Sequence, residues 1–361
     1  MAAITNHLTL AVAGSRKTQG IVDACAAADR DARILVLTYT SANQLELRAR
    51  LAQLADNRTN VEVVGWFQFL IANFARPLLP FLYPGARVAG FDFHSPPQQG
   101  TANELRSRYL NEHDQVRRRH LPQLVTRIEE ASDGAGVRRL VRLYDRIFID
   151  EVQDLCGYDL EVLRLLMSSS VRLEMVGDIR QAILATNERE RKNKPYMYMQ
   201  IWHWFRKEEK AGRLQITQRN QTWRCAPAIA SLADSLFDDQ WGFRPTESLN
   251  KRTTDHDGIF LVKPEHAMSY VKQFAPLALR NTAASAKDVD LAFTNFGEAK
   301  GLSSERVLIY PTGPITKLIT HCKALEPQQA ARFYVAVTRA EQSVAIVLQH
   351  GGDSGLTYWT P

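Results

Sequence analysis

The sequence predicts an α/β protein of two domains, each built on a parallel sheet covered by helices. Three observations lead there. Short apolar runs alternate with helix-periodic segments along most of the chain, as they do where strands are buried on both faces of a parallel sheet. The most apolar of these runs, Ile147–Ile149, stops at a carboxylate pair, Asp150-Glu151. Open parallel sheets collect their ligand chemistry at such carboxyl ends. Finally, 361 residues suffice for two ordinary domains, each with its own core.

In order along the chain, strands are expected at Leu8–Ala13, Arg33–Tyr39, Val61–Val64, Ile147–Asp150 and Arg172–Val176, with helical stretches such as Thr18–Ala28 and Ser41–Ala55 between them. Residues from about 77 to 134 break this rhythm. They open on the Pro/Gly-rich RPLLPFLYPGARVAG, pass through SPPQQG and carry a basic segment, Glu104–Arg127, that reads as helical. This stretch is read as an insertion in the first domain, 1–205. The charged run Arg206–Arg213 is the expected linker into the second domain, 206–361. There, strands are expected at Leu214–Thr217, Gly258–Val262, Val289–Phe293, Arg306–Tyr310 and Ser343–Leu348. Helices are expected at Ala226–Phe237, Glu265–Phe274 and Gln328–Thr338.

Composition narrows the class. Hydrophobic content of 45% and charged content of 23% belong to a globular chain, not a disordered or fibrous one. No apolar run reaches the roughly 18 residues of a membrane span, and the start of the sequence lacks the pattern of a secretion signal. Four cysteines without CxxC spacing give no support to a zinc site or disulfide framework, so reduced thiols in a cytoplasm are expected. The net charge of +6 favours contact with a polyanion.

Two motifs carry chemistry. In IFIDEVQD, Ile147–Asp154, one carboxylate can hold hydrated Mg²⁺ while its neighbour orients or deprotonates an attacking water. Alone, the pair could also simply mark a solvated strand end. In AVAGSRKT, Ala11–Thr18, Gly14 and Ser15 are small residues that let backbone N–H groups face phosphates. Lys17 suits the β/γ oxygens, Thr18 suits Mg²⁺, and the helix that follows offers its positive end. Alone, this loop is also compatible with a strand-to-helix turn of no special function. Together the two motifs point to an ATPase using Mg²⁺.

With further blocks in the same order, the chain resembles superfamily 1 helicases of the UvrD/Rep type, in a compact, short-insertion form. LTYTSANQLELRARL, VVGWFQFL, IFIDEVQD, MVGDIRQAI, TWRCAPAI, FGEAKGL and FYVAVTRAE are each similar to a family block. The resemblance implies two RecA-like P-loop domains with parallel sheets, a nucleotide cleft between them and a small helical insertion in the first. It implies an ATP-dependent DNA translocase or helicase with 3′-to-5′ polarity on single-stranded DNA. Lys17 would neutralise phosphate charge, Thr18 and Asp150 would serve Mg²⁺, and Glu151 would be the general base. Gln181 would sense the γ-phosphate, while Arg224 and Arg339 would act as arginine fingers. Trp223 would stack on adenine, and Tyr39, Thr40, Trp66 and Gln68 would meet single-stranded DNA, where base stacking on aromatics tolerates any sequence, although Trp66, heading the apolar segment Trp66–Phe74, reads equally as core. The basic residues Arg106, Arg108 and Arg117 to Arg119 read equally as phosphate contacts or as a solvated face.

Departures from the family pattern keep a second reading open. Arg16 stands where the phosphate loop normally has glycine, and it would either clash with ATP or add a phosphate contact. No glutamine motif precedes Ala11. Leu184 to Asn187 replace the aromatics and arginine that couple DNA to hydrolysis, and Ser303 replaces a glutamate. The alternative is a nucleotide-binding adaptor with weakened motor activity, partnering a nuclease in defence against foreign DNA. A metabolic P-loop kinase leaves the paired arginines and the KGL and TRAE blocks unexplained.

Overall fold

The computed structural model describes residues 6–53, 60–96 and 100–361. The end of the helix expected over 41–55 and the centre of SPPQQG lie outside the described residues. Packing divides the chain into two compact units. The first comprises residues up to Thr9, Lys17–Gly177 and Ala185–Thr217, and the second Leu10–Arg16, Asp178–Leu184 and Gln218–Pro361.

In chain order the first strands are β1 (Asn6–Ala11), β2 (Ile34–Thr38), β3 (Val61–Gly65), β4 (Gly90–Asp92), β5 (Gln115–Arg117), β6 (Arg146–Ile149), β7 (Arg172–Gly177) and β8 (Leu214–Arg219). All except β4 and β5 form one six-stranded sheet in the order β3-β2-β6-β7-β1-β8. Here β2 runs parallel to β3 and β6, and β6 parallel to β7. The sequence ILVLT of β2 is buried throughout, as its lack of polar alternation requires. Ile21, Val22 and Cys25, from the helix Lys17–Ala26, pack on Ile34, Val36, Val63 and Phe148.

Three sequence expectations need correction in this region. Leu214–Thr217 is a strand, but it closes the first sheet as β8 rather than opening the second half. The segment 206–213 is no linker. The helix Ile201–Lys210 runs through it and buries Ile201, Trp202, Trp204, Phe205 and Glu208. The fully buried Glu208 carboxylate is held there by Arg164 Nε at 3.0 Å and Arg213 Nε at 2.6 Å, while Arg206, Lys207 and Lys210 lie on the exposed face of the helix. The basic run Glu104–Arg127 is not one helix either. It breaks into a single turn at Arg106–Tyr109, strand β5, a 3₁₀ turn at Arg118–His120 and the start of a helix at Leu121–Ala131. The chain reverses at Asn111 to Asp114, where the Asn111 side chain accepts from the backbone N–H groups of His113 and Gln115, both at 3.0 Å. This insertion continues from the helical stretch Trp66–Leu82 and adds the parallel ribbon β4-β5.

The second unit carries the short pair β9 (Gln221–Thr222) and β10 (Glu247–Ser248). Its main strands are β11 (Gly258–Val262), β12 (Leu277–Arg280), β13 (Thr294–Asn295), β14 (Ser304–Ile309), β15 (Ala340–Val347) and β16 (Thr357–Trp359). Strands β11 to β16 form a second six-stranded sheet, β13-β12-β14-β15-β11-β16, in which every pairing is parallel. Helices Pro227–Asp234 and Pro327–Val337 contribute Ile229, Phe333, Val337 and Tyr334 to the core on one face. The expected strand Val289–Phe293 is turn and loop, and Leu277–Arg280 supplies the strand instead. Among the described residues no helix is long and apolar enough to cross a membrane.

Candidate functional site

In the first unit the buried strand β6 ends at Ile149, and the next two residues are the carboxylate pair. Asp150 is 3% exposed, and its backbone N–H donates to the Leu37 carbonyl at 2.8 Å. Glu151 adopts a left-handed backbone, φ 54°, and its N–H donates to Asp150 Oδ1 at 2.9 Å. Gln153 Nε2 donates to the Glu151 carboxylate. The Gln153 side chain in turn lies over Gly177, where a Cβ would come within 2.4 Å of its Oε1. The glutamine of the motif thus orients the glutamate, and the glycine ending β7 makes room for the glutamine.

At the end of β1 the chain turns through Val12–Arg16 into the helix Lys17–Ala26. Lys17 and Thr18 occupy its first turn, where backbone N–H groups lack intrahelical partners. Ser15 is 1% exposed, and its Oγ has no hydrogen-bond partner among the described residues. An unmatched buried hydroxyl beside a lysine and a helix start suits a phosphate oxygen, so the loop fits the triphosphate that its sequence implies.

The loop residues before Lys17 belong to the second unit. The Ala13 N–H donates to Tyr334 Oη at 3.2 Å, Thr222 Oγ1 donates to the Ala13 carbonyl at 2.7 Å, and the Trp223 N–H donates to the Gly14 carbonyl at 3.0 Å. Gly14 has φ +71°, and a Cβ there would lie 2.5 Å from Arg224 Cβ and 2.6 Å from Thr222 Oγ1. Gly14→Ala therefore combines backbone strain with steric overlap. We expect it to lower stability by more than about 1 kcal/mol, measured by denaturant unfolding. Arg16 is exposed, with φ 59°, and its guanidinium lies 4.9 Å from the Trp223 ring centroid.

The remaining second-unit candidates meet in one hydrogen-bonded set. Asp178 begins the 3₁₀ turn Ile179–Gln181 and accepts from Gln181 Nε2 at 2.7 Å and from Tyr334 Oη at 3.1 Å. Arg339, 1% exposed, donates to Gln181 Oε1 at 3.4 Å and to the carbonyls of Val335 at 2.9 Å and Leu302 at 3.1 Å. It thereby joins the KGL turn to the TRAE helix end. Arg224 Nη1 donates to the Thr338 carbonyl at 3.1 Å. Buried Arg180 bonds Asp234 Oδ1 at 2.7 Å. Burial lowers the pKa of this guanidinium, but Tyr334, Asp178 and Asp234 outweigh it and hold the group above its usual range. Burial also raises the Tyr334 phenol well above its normal value. Sequence reasoning missed Tyr334, Thr222 and Asp178. All three sit inside blocks already singled out, and a polar group on an otherwise apolar helix or strand end was the available signal.

The nucleic-acid candidates belong to the first unit. Tyr39 is partly buried, with its ring edge-on to Phe67 at 5.9 Å, and burial pushes its phenol up to about 12. Thr40 caps the helix Ser41–Ala52, accepting from the Asn43 N–H at 3.2 Å. Gln68 is exposed. Trp66 is 2% exposed, and its Nε1 donates to Asp159 Oδ1 at 2.6 Å, which makes the ring a packing element and leaves no face for a base.

Asp159 is itself buried, and that burial pushes its carboxyl up to about 6 against bonds from Thr186 and Trp66 that lower it. A folded pKa above the unfolded value means that the folded chain holds the extra proton between about pH 4 and 6. Stability therefore falls as pH rises through that window, by an amount of order 2–3 kcal/mol from this group. We expect Asp159→Asn to flatten this slope in denaturant titrations at pH 4 to 7.

The sequence matches no protein-family model and no curated protein. Among solved structures it is similar to an arterivirus nonstructural protein 10 (helicase) in complex with DNA. That match has a TM-score of 0.50 and 15% identity over 98% of this chain and 63% of that one. It is also similar to the PRRSV helicase, with a TM-score of 0.49 and 12% identity over 98% of this chain and 54% of that one. The chain thus spans less than two thirds of the length of these proteins. The shared feature is the fold, which in this chain is two RecA-like α/β units on parallel sheets.

Proposed function

We propose that the chain is an ATP-dependent translocase or helicase of superfamily 1, of the UvrD/Rep type, acting 3′ to 5′ on single-stranded DNA. One observation carries the reading. Residues from separate sequence blocks, Gly14, Gln181, Arg224 and Arg339, join through Thr222 and Thr338 into one connected set around the phosphate loop. A packing role alone gives no reason for a positive-φ loop glycine, two arginines and a glutamine to gather there. The arterivirus nonstructural protein 10 that shares the fold is a helicase, solved in complex with DNA, which supports the same reading.

In this account Lys17 binds the β/γ-phosphates and Ser15 offers a hydroxyl to a phosphate oxygen. Glu151, oriented by Gln153, takes a proton from the attacking water. Gln181 contacts the γ-phosphate, while Arg224 and Arg339 stabilise charge on the transferred phosphoryl group. Mg²⁺ held by Thr18 and Asp150 would neutralise phosphate charge. Tyr39, Thr40 and Gln68 remain the family-derived contacts for the strand.

The Arg16–Trp223 stacking favours a second reading, because it covers a ring otherwise free for adenine. That reading is the nucleotide-binding adaptor with weakened hydrolysis and a nuclease partner. An ATPase assay with single-stranded DNA, duplex DNA and RNA separates the two. The motor predicts hydrolysis stimulated severalfold by single-stranded DNA. Tight ATP binding without stimulation, with a nuclease co-purifying, selects the adaptor, and stimulation by RNA alone overturns the choice of DNA.

A further inference from the structure

The insertion of the first unit displays an aromatic and cationic face. Phe93 is 49% exposed, which is unusual for a phenylalanine in an ordered turn. Its ring packs edge-on against Phe91 at 5.4 Å and Phe67 at 6.3 Å. The turn is built rather than loose. Asp92 accepts from the N–H groups of Ser95 at 3.0 Å and His94 at 3.3 Å, and it pairs with Arg117 across the β4-β5 ribbon at 3.5 Å. Arg118 lies over the same rings, 4.7 Å from the Phe93 centroid and 5.8 Å from that of Phe67.

The neighbouring cations sort clearly. Arg106 pairs with Asp114, Arg117 with Asp92, and Arg108 bonds Gln123 and the Thr101 carbonyl. Among the described residues, Arg118 and Arg119 have no carboxylate at ion-pair distance. Burial lowers the Arg119 pKa, and the neighbouring cations Arg189 and Arg118 lower it further against a smaller opposing effect of Glu188. A guanidinium resting on ring faces keeps its N–H donors for an oxyanion.

We propose that Phe93, with Arg118 and Arg119, forms a binding platform for single-stranded nucleic acid, stacking a base on the Phe93 ring and holding adjacent phosphates with the two arginines. It deepens the proposed function by assigning a strand contact to the insertion, and it rests on that reading. Alternating bases and phosphates match an exposed aromatic ring beside unpaired cations better than an apolar protein partner would.

The test is fluorescence anisotropy with a labelled oligothymidylate, an oligouridylate of equal length and an abasic oligonucleotide, using the full chain. Phe93→Ala should weaken binding to the base-containing strands by roughly 5- to 30-fold and leave abasic binding nearly unchanged. Phe93→Trp should restore affinity. Arg118→Ala should reduce the salt dependence of binding by about one unit in log–log slope, which Phe93→Ala should not. Unchanged thermal unfolding of the variants excludes a folding defect. If the wild type binds the oligonucleotides and both variants bind as tightly, the platform is wrong while the proposed function stands. If the wild type binds none of them, both fail. Equal competition by an acidic polyglutamate peptide, lost equally in Phe93→Ala, assigns the face to protein and overturns the proposal.

Discussion

Lys17→Ala and Glu151→Gln should each reduce DNA-stimulated ATP hydrolysis by about 10²- to 10³-fold, for different reasons that binding experiments can separate. In the proposed mechanism Lys17 is the cation that binds the β/γ-phosphates, so ATP affinity should fall together with turnover when it is removed. Glu151→Gln keeps a carbonyl able to accept from Gln153, so the side chain stays oriented and ATP still binds. What is lost is the proton acceptor. A nucleotide-binding assay beside single-turnover hydrolysis should show weak binding in the first variant and bound but unhydrolysed ATP in the second. Wild-type stimulated turnover in both would remove these residues from the reaction.

Replacement of Arg339 should cost even more, about 10³- to 10⁵-fold in hydrolysis if it stabilises the transferred phosphoryl group. Arg339→Ala is an imperfect probe. The guanidinium is buried and bonded to the Val335 and Leu302 carbonyls, so truncation leaves acceptors unmatched and should lower stability as well. Arg339→Lys keeps the charge but loses the planar fork that reaches those carbonyls and Gln181 together. The lysine variant should therefore fold and bind ATP while hydrolysing it far more slowly. Full turnover in Arg339→Lys would show that the residue only braces the KGL turn.

The α/β architecture was legible because buried parallel strands such as Ile34–Thr38 and Gly258–Val262 are continuous apolar runs. What misled was charge without spatial context. Arg206–Arg213 looked like a connector because sequence alone cannot show that Glu208 is buried between Arg164 and Arg213. Glu104–Arg127 looked like one basic helix because helix propensity is a weak prior against the turn at Asn111 to Asp114. In the candidate site, motif positions singled out Lys17, Asp150, Glu151, Gln181, Arg224 and Arg339. They did not reveal Tyr334 and Thr222, whose hydroxyls bond Ala13 and whose chemistry is evident only once the loop is folded. Trp66 carried the aromatic signal for strand contact, yet Asp159 holds it inside, whereas Phe93 in the insertion is exposed.

The left-handed backbone at Glu151 sets which side chains its position will accept, apart from any demand of catalysis. Asparagine, aspartate and glycine enter this conformation readily, whereas β-branched residues meet it at a cost of roughly 1–3 kcal/mol. A saturation library sorted for folded protein alone should thus already be depleted of valine, isoleucine and threonine there, and sorting for turnover should then narrow the survivors to the acid.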